Sequence, residues 1–240
     1  MHLQLEQIVV NPGHQLLLKN VSWSEFEKIL AELGDKRASR LSYSKGMLEI
    51  MVPLPEHEFS KKIIGDLVSA LLDELGIEFW PLGSVTIKKQ SMLEGVEPDE
   101  CYYITNESAV RGRDRLNFEI DPPPDLAIEI DITSRTAFDN YEVLGVPEFW
   151  RYDGQKLQIN ILQNGKYIQS QTSSIFPQVD VVNLFPQLLS ISKVSGRSGA
   201  IRQLRLTVKK SFLCGGSLAP PQTTESGCGG LSSGLFSGKF

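Results

Sequence analysis

Cysteine and histidine are scarce in this chain of 240 residues, which holds three of each. Three cysteines cannot build a disulfide framework, and no CxxC pair or Cys/His cluster has the spacing of a structural zinc site. Long apolar runs are missing as well: nothing approaches the roughly 20 residues that a membrane-spanning helix requires. The opening MHLQLEQIVV lacks the charged, apolar and small-residue succession of a secretory signal. With neither export signal nor disulfide pattern, the expected compartment is the cytoplasm and no membrane partner is expected. No phosphate-binding glycine loop, dinucleotide fingerprint or serine-nucleophile motif is present, so no organic cofactor is expected either.

Charge is present but unevenly spread. The chain carries 24 basic and 29 acidic side chains, yet residues 94–153 alone hold 15 acids and 5 bases. Residues 181–212 hold no acid and six bases, among them Arg202 and Arg205. An acidic middle suits cation binding and a basic end suits anion contact, although solvated surface explains both as simply. From Leu213 to Phe240, seven glycines, five serines and two prolines dominate. Such a segment buries too little apolar area to offset its ordering entropy, so residues 1–212 are expected to form the domain and 213–240 a disordered tail.

The domain reads as α/β. Ser22 or Ser24 can cap a helix reaching Leu33, with Gly34 ending it. RLSYSKGMLEIMV reads as a hairpin about Lys45-Gly46. A broad stripe of Phe59, Ile63, Ile64, Leu67, Val68, Leu71, Leu72 and Leu75 predicts the strongest helix, closed by Gly76. Strands are expected at 77–80, 84–89 and 99–104. In DLAIEIDI, 125–132, Leu126, Ile128, Ile130 and Ile132 face one way, and Asp125, Ala127, Glu129 and Asp131 the other. A helix over 136–144 and a strand in PEFWRYDG then make a βαβ crossover, which requires a parallel pair. Asp153-Gly154 and Asn164-Gly165 turn an antiparallel meander beyond it.

Pairing of the 99–104 strand with 125–132 would set Asp99 beside Glu129. Two carboxylates and a main-chain carbonyl make a hard oxygen site suited to Mg²⁺ or Mn²⁺. The alternative is a solvated sheet face carrying no ion. RGRDR at 111–115 is a basic loop, in which Arg111 and Arg113 are candidate phosphate contacts. Arg202 and Arg205, three apart on a possible helix, are the other candidates for nucleic-acid binding.

Pro98-Asp99, PPPDLAIEIDITSRT and NYEVLGVPEFWRYDG stand here in an order that resembles the Uma-two family of restriction-endonuclease-like proteins. PLPEHE and ELGIEFWPLGS are similar to the same family, and the likeness spans about residues 20–190. It implies a restriction-endonuclease-like α/β fold, a four-stranded mixed sheet flanked by helices, to which the antiparallel meander is an addition. It also implies a PD…(D/E)xK metal site with Asp99 and Glu129 as ligands and Glu58 as a third, helix-borne ligand. The position two beyond Glu129 is Asp131 rather than lysine. Arg135 holds the place where the family often carries a lysine, and its permanently charged guanidinium can stabilise charge but cannot act as a base. The phase of the apolar stripe places Glu56 and His57 nearer the buried side than Glu58, and His57 reads as a packing or capping residue.

The resemblance implies a Mg²⁺- or Mn²⁺-dependent endonuclease that hydrolyses DNA phosphodiester bonds with metal-activated water, using Asp99, Glu129 and Arg135. The second reading is a non-catalytic nucleic-acid-binding or regulatory protein that kept the fold without the lysine. A third, a glycosidase-like hydrolase with paired carboxylates, predicts metal-independent activity. A homodimer is expected only by analogy of fold.

Overall fold

The computed structural model describes residues 7–34, 37–132 and 138–214. Arg135 and the glycine-rich segment beyond 214 lie outside them. Local sequence signals set the first half. Helix α1 (Trp23–Leu33) starts at a capping box, in which Ser22 Oγ accepts from the Glu25 N–H and the Glu25 carboxylate accepts from the Ser22 N–H. Strands β2 (Arg40–Ser44) and β3 (Met47–Met51) form the expected hairpin, with positive φ at both Lys45 and Gly46 as a tight two-residue turn demands. Three short strands join them: β1 (Gln15–Lys19), β5 (Ile87–Lys89) and β6 (Glu94–Val96). β1 and β6 were not expected from the sequence, and β5 covers only the end of the expected 84–89 run. Together they make a five-stranded antiparallel sheet in the order β1-β3-β2-β6-β5. Phe26 of α1 is buried on it, stacked against Tyr43 with centroids 4.7 Å apart.

Helix α2 (Pro55–Leu75) begins with proline in its first turn, where no hydrogen bond is lost, and ends on a left-handed Gly76. Its sheet-facing line is His57, Ser60, Ile64, Leu67 and Leu71, all buried. Phe59, expected in the stripe, falls beside that line and is exposed.

The second sheet holds the βαβ unit. Its strands are β4 (Trp80–Pro81), β7 (Glu100–Tyr103), β8 (Leu126–Ile130), β9 (Glu148–Tyr152), β10 (Leu157–Gln163) and β11 (Lys166–Ser170). They are ordered β11-β10-β9-β8-β7-β4, and β8 and β9 are the parallel pair. This mixed sheet has six strands rather than the four the resemblance implies, because the meander β9-β10-β11 extends it and β4 closes the other edge. Helix α4 (Phe138–Leu144) makes the crossover; the short α3 (Glu107–Val110) lies between β7 and β8. Helix α5 (Val181–Cys214), broken at Gly196 where φ is 73°, covers one face of the sheet together with α2.

Both faces of β8 are covered. Leu126, Ile128 and Ile130 pack under α2 and α5, while Ala127 packs with Tyr141, Leu144 and Phe149 beneath α4. A strand buried on two sides leaves no water for its acids, and Glu129 is itself buried. The solvated sheet face is therefore not what the fold builds.

Candidate active site

Antiparallel pairing sets Glu100 against Ile128 and Cys101 against Ala127, so the next step of the same register puts Asp99 opposite Glu129. Asp99 is 1% exposed, and its Oδ2 accepts from the Ile130 N–H at 2.9 Å. His57, reaching in from the first turn of α2, puts Nε2 3.0 Å from that same Oδ2. Arg40 Nε stands 3.7 Å from Oδ1. Burial alone would raise the Asp99 carboxyl, but His57, the Ile130 amide and Arg40 together hold it below its usual range. Asp99 is the ionised member of the pair.

Glu129 is the opposite case. Burial, and then the adjacent Asp99 charge, push its carboxyl well above the ordinary carboxylate range, with Asp131 adding to the effect. The Tyr141 hydroxyl from α4 donates to Glu129 Oε1 and opposes part of the shift. The Asp99 and Glu129 carboxyls approach closely enough that their contact itself favours the protonated form of Glu129. Two carboxyls driven in opposite directions in one dry cleft are a pattern found at acid–base sites.

The polar atoms left over are concentrated here. Asp99 Oδ1 and Arg40 Nε are buried without a well-aligned hydrogen bond among the described residues, while His57 Nε2 is engaged by Asp99 Oδ2. Buried polar groups are normally satisfied, so a cluster of such atoms marks a place built to meet a ligand. Asp99 Oδ1 and the Glu129 oxygens are hard donors that fit Mg²⁺ or Mn²⁺, an ion that typically keeps several waters. Among the described residues no three His, Cys, Asp or Glu side chains stand close enough to enclose a cation. Glu58 is at the rim with half its side chain exposed, its Oε1 3.4 Å from His57 Nδ1 and 3.9 Å from Arg40.

A profile of a family described as "Putative restriction endonuclease", Uma2, matches residues 23–194. The chain belongs to the Uma2 family. A solved structure from Anabaena variabilis, described as a "putative nuclease", aligns with a TM-score of 0.46 at 14% identity, covering 75% of this chain and 97% of that one. No relative is found among the curated proteins.

The remaining expected residues spread apart. Asp131, at the position where the (D/E)xK motif has its lysine, is held by Arg151 of β9 at 2.6 Å with both side chains buried. Arg151 is the register partner of Glu129 on the neighbouring parallel strand, and its guanidinium is engaged by Asp131. Glu49 of β3 is another neighbour, its carboxyl raised first by burial and then by Asp131. Arg111 is drawn to Glu107 and Arg113 to Asp121. Arg205 pairs with Glu74, nearly five turns beyond His57 on α2 and so about 25 Å along it. Arg202 lies one turn from Arg205 on α5. Neither joins the Asp99 cluster.

Sequence reasoning missed Arg40, Tyr141 and Arg151 as members of the site, and it assigned His57 to packing. The signal available for His57 was its phase: it is the first residue of the sheet-facing line of α2, and a histidine there is directed at the strand ends. The other three depend on strand and helix placement that no local pattern encodes.

Proposed function

We infer that this protein is a metal-dependent endonuclease that hydrolyses DNA phosphodiester bonds at the Asp99–Glu129 centre. The observation that carries the reading is the convergence of those two buried carboxyls from adjacent strands, with Asp99 Oδ1 left without a hydrogen bond among the described residues. Mg²⁺ or Mn²⁺, when bound, would supply charge neutralisation at the phosphate and a more acidic water. Asp99 and Glu129 would hold it, and Glu58 at the rim is the nearest further acid on α2. His57 and the Ile130 amide fix the Asp99 carboxylate in place, while Tyr141 orients Glu129. Glu129 must release its proton to serve as a ligand, so ion uptake should be coupled to proton release. The catalytic part assigned to Arg135 rests on the family resemblance.

Asp131 in place of lysine, already engaged by Arg151, favours the second reading: a nucleic-acid-binding protein that does not cleave. Calorimetric Mn²⁺ titration and cleavage of plasmid and of single-stranded circular DNA separate the two. Wild type is expected to bind Mn²⁺ and to cut DNA in at least one of these two forms, and Asp99→Ala and Glu129→Ala should each lose both while remaining folded by circular dichroism. Wild-type-like Mn²⁺ binding in both variants would remove the metal assignment. Metal binding without cleavage would select the second reading.

A further inference from the structure

We propose that the cavity of about 800 Å³ between α1, β2, β5 and the loop at 113–119 is the channel for a single DNA strand, with Arg40 and Arg115 gripping its backbone phosphates. The proposal rests on the nuclease reading and names the surface that would deliver the substrate to it.

Continuity is the first argument. Arg40 lines the cavity and at the same time stands 3.7 Å from Asp99 Oδ1, so the cavity adjoins the carboxyl pair through this one side chain.

Charge is the second. Five cations line the walls beside four acids, and most of the cations are already paired. Three of those cations are neutralised where they stand: Arg37 by Glu97, Lys88 by Glu27 and Arg113 by Asp121. Arg115 is exposed and forms no ion pair among the described residues. Arg40 has only the loose contacts at 3.7 and 3.9 Å, and its Nε is buried without a hydrogen bond. Two guanidiniums thus keep spare donors, and their planar forks match phosphate oxygens. The half-buried Trp23 in the same wall gives a base an aromatic surface to lie against. A double helix does not fit in such a volume; one strand does.

The test is fluorescence anisotropy of the full chain with a fluorescein-labelled single-stranded DNA oligonucleotide, in EDTA, across a salt series. Binding without divalent ions is independent of cleavage chemistry. Removing one cation that neutralises a phosphate should flatten the dependence of log K on log salt by about 0.7. Arg115→Gln, an exposed change that leaves packing alone, should lower the slope by one such step, and Arg40→Gln with Arg115→Gln by two. A wild type that binds no DNA strand, unchanged slopes in both variants, or a flattening produced by Arg202→Gln with Arg205→Gln instead would overturn the channel. Reduced slopes in a protein that never cleaves DNA would retain the channel and sink the nuclease reading. Unchanged slopes in an active nuclease would do the reverse.

Discussion

Asp131 and Arg151 illustrate what a buried charge demands of a single residue. Their 2.6 Å contact lies between strands whose other side chains are packed, and neither ion has water to fall back on. Removing one partner from such a pair is costly because the other stays buried and charged, whereas replacing both by apolar groups is often neutral. Arg151→Met is therefore expected to cost about 3–5 kcal/mol in urea unfolding, and Arg151→Met with Asp131→Leu should recover most of it. A single-variant cost below about 1 kcal/mol would mean that water reaches the pair and that it behaves as a surface ion pair. The same logic explains Tyr141, whose hydroxyl is spent on Glu129 rather than on solvent. These side chains are buried beside the site without being core in the ordinary sense: they keep two acids in a place where acids are expensive.

The site is assembled from pieces of four elements, and each must hold its place to within a fraction of an ångström. Asp99 ends the connection into β7, Glu129 lies on β8, Tyr141 comes from the crossover helix α4, and His57 from the first turn of α2. The antiparallel sheet adds Arg40 and, through α1, one wall of the cavity. Its attachment of α1 depends on a close approach at Gly95 of β6, where an added methyl would come within 3.0 Å of the Phe26 ring. That ring is buried and stacked on Tyr43, so it cannot swing aside as a flexible side chain would. Gly95→Ala should cost about 1–3 kcal/mol by overpacking and should displace α1. Thermal unfolding reads the cost, and a melting temperature equal to wild type would show that the ring yields. Trp23 fluorescence should shift as well, since its ring rests edge-on against both Phe26 and Tyr43.

Across the molecule as a whole, several carboxyls are buried at a cost in stability. Burial raises Glu94, which is only partly compensated by Ser44 and Lys45, and it raises Glu49 in the same direction. A group whose folded pKa lies above its unfolded value contributes stability that is fully present below about pH 4.5 and is lost as the pH rises through the folded value. Glu94→Gln removes the effect at one position. The variant should gain on wild type steadily from about pH 4.5 upward in urea melts, and a difference independent of pH would rule Glu94 out as the source. No helix among the described residues is long and apolar enough to cross a membrane.

Whatever depends on neighbours along the chain was legible in the sequence: the Ser22 cap, the Lys45-Gly46 turn, the apolar stripe of α2, the alternation of β8 and the crossover that makes β8 and β9 parallel. That Asp99 and Glu129 would meet if their strands paired was legible too, but the antiparallel register that aligns them was fixed only in the fold. β1 and β6 were not, since they are strands only because the hairpin edges offer them hydrogen bonds. Nor could the chain show that both faces of β8 are dry, which follows from α4 closing over it. The phase of α2 pointed His57 inward, but the parts played by Arg40 of β2, Tyr141 of α4 and Arg151 of β9 came from packing alone. Desolvation and charge act across space, and these four side chains belong to four separate elements, so no spacing in the chain records that they meet.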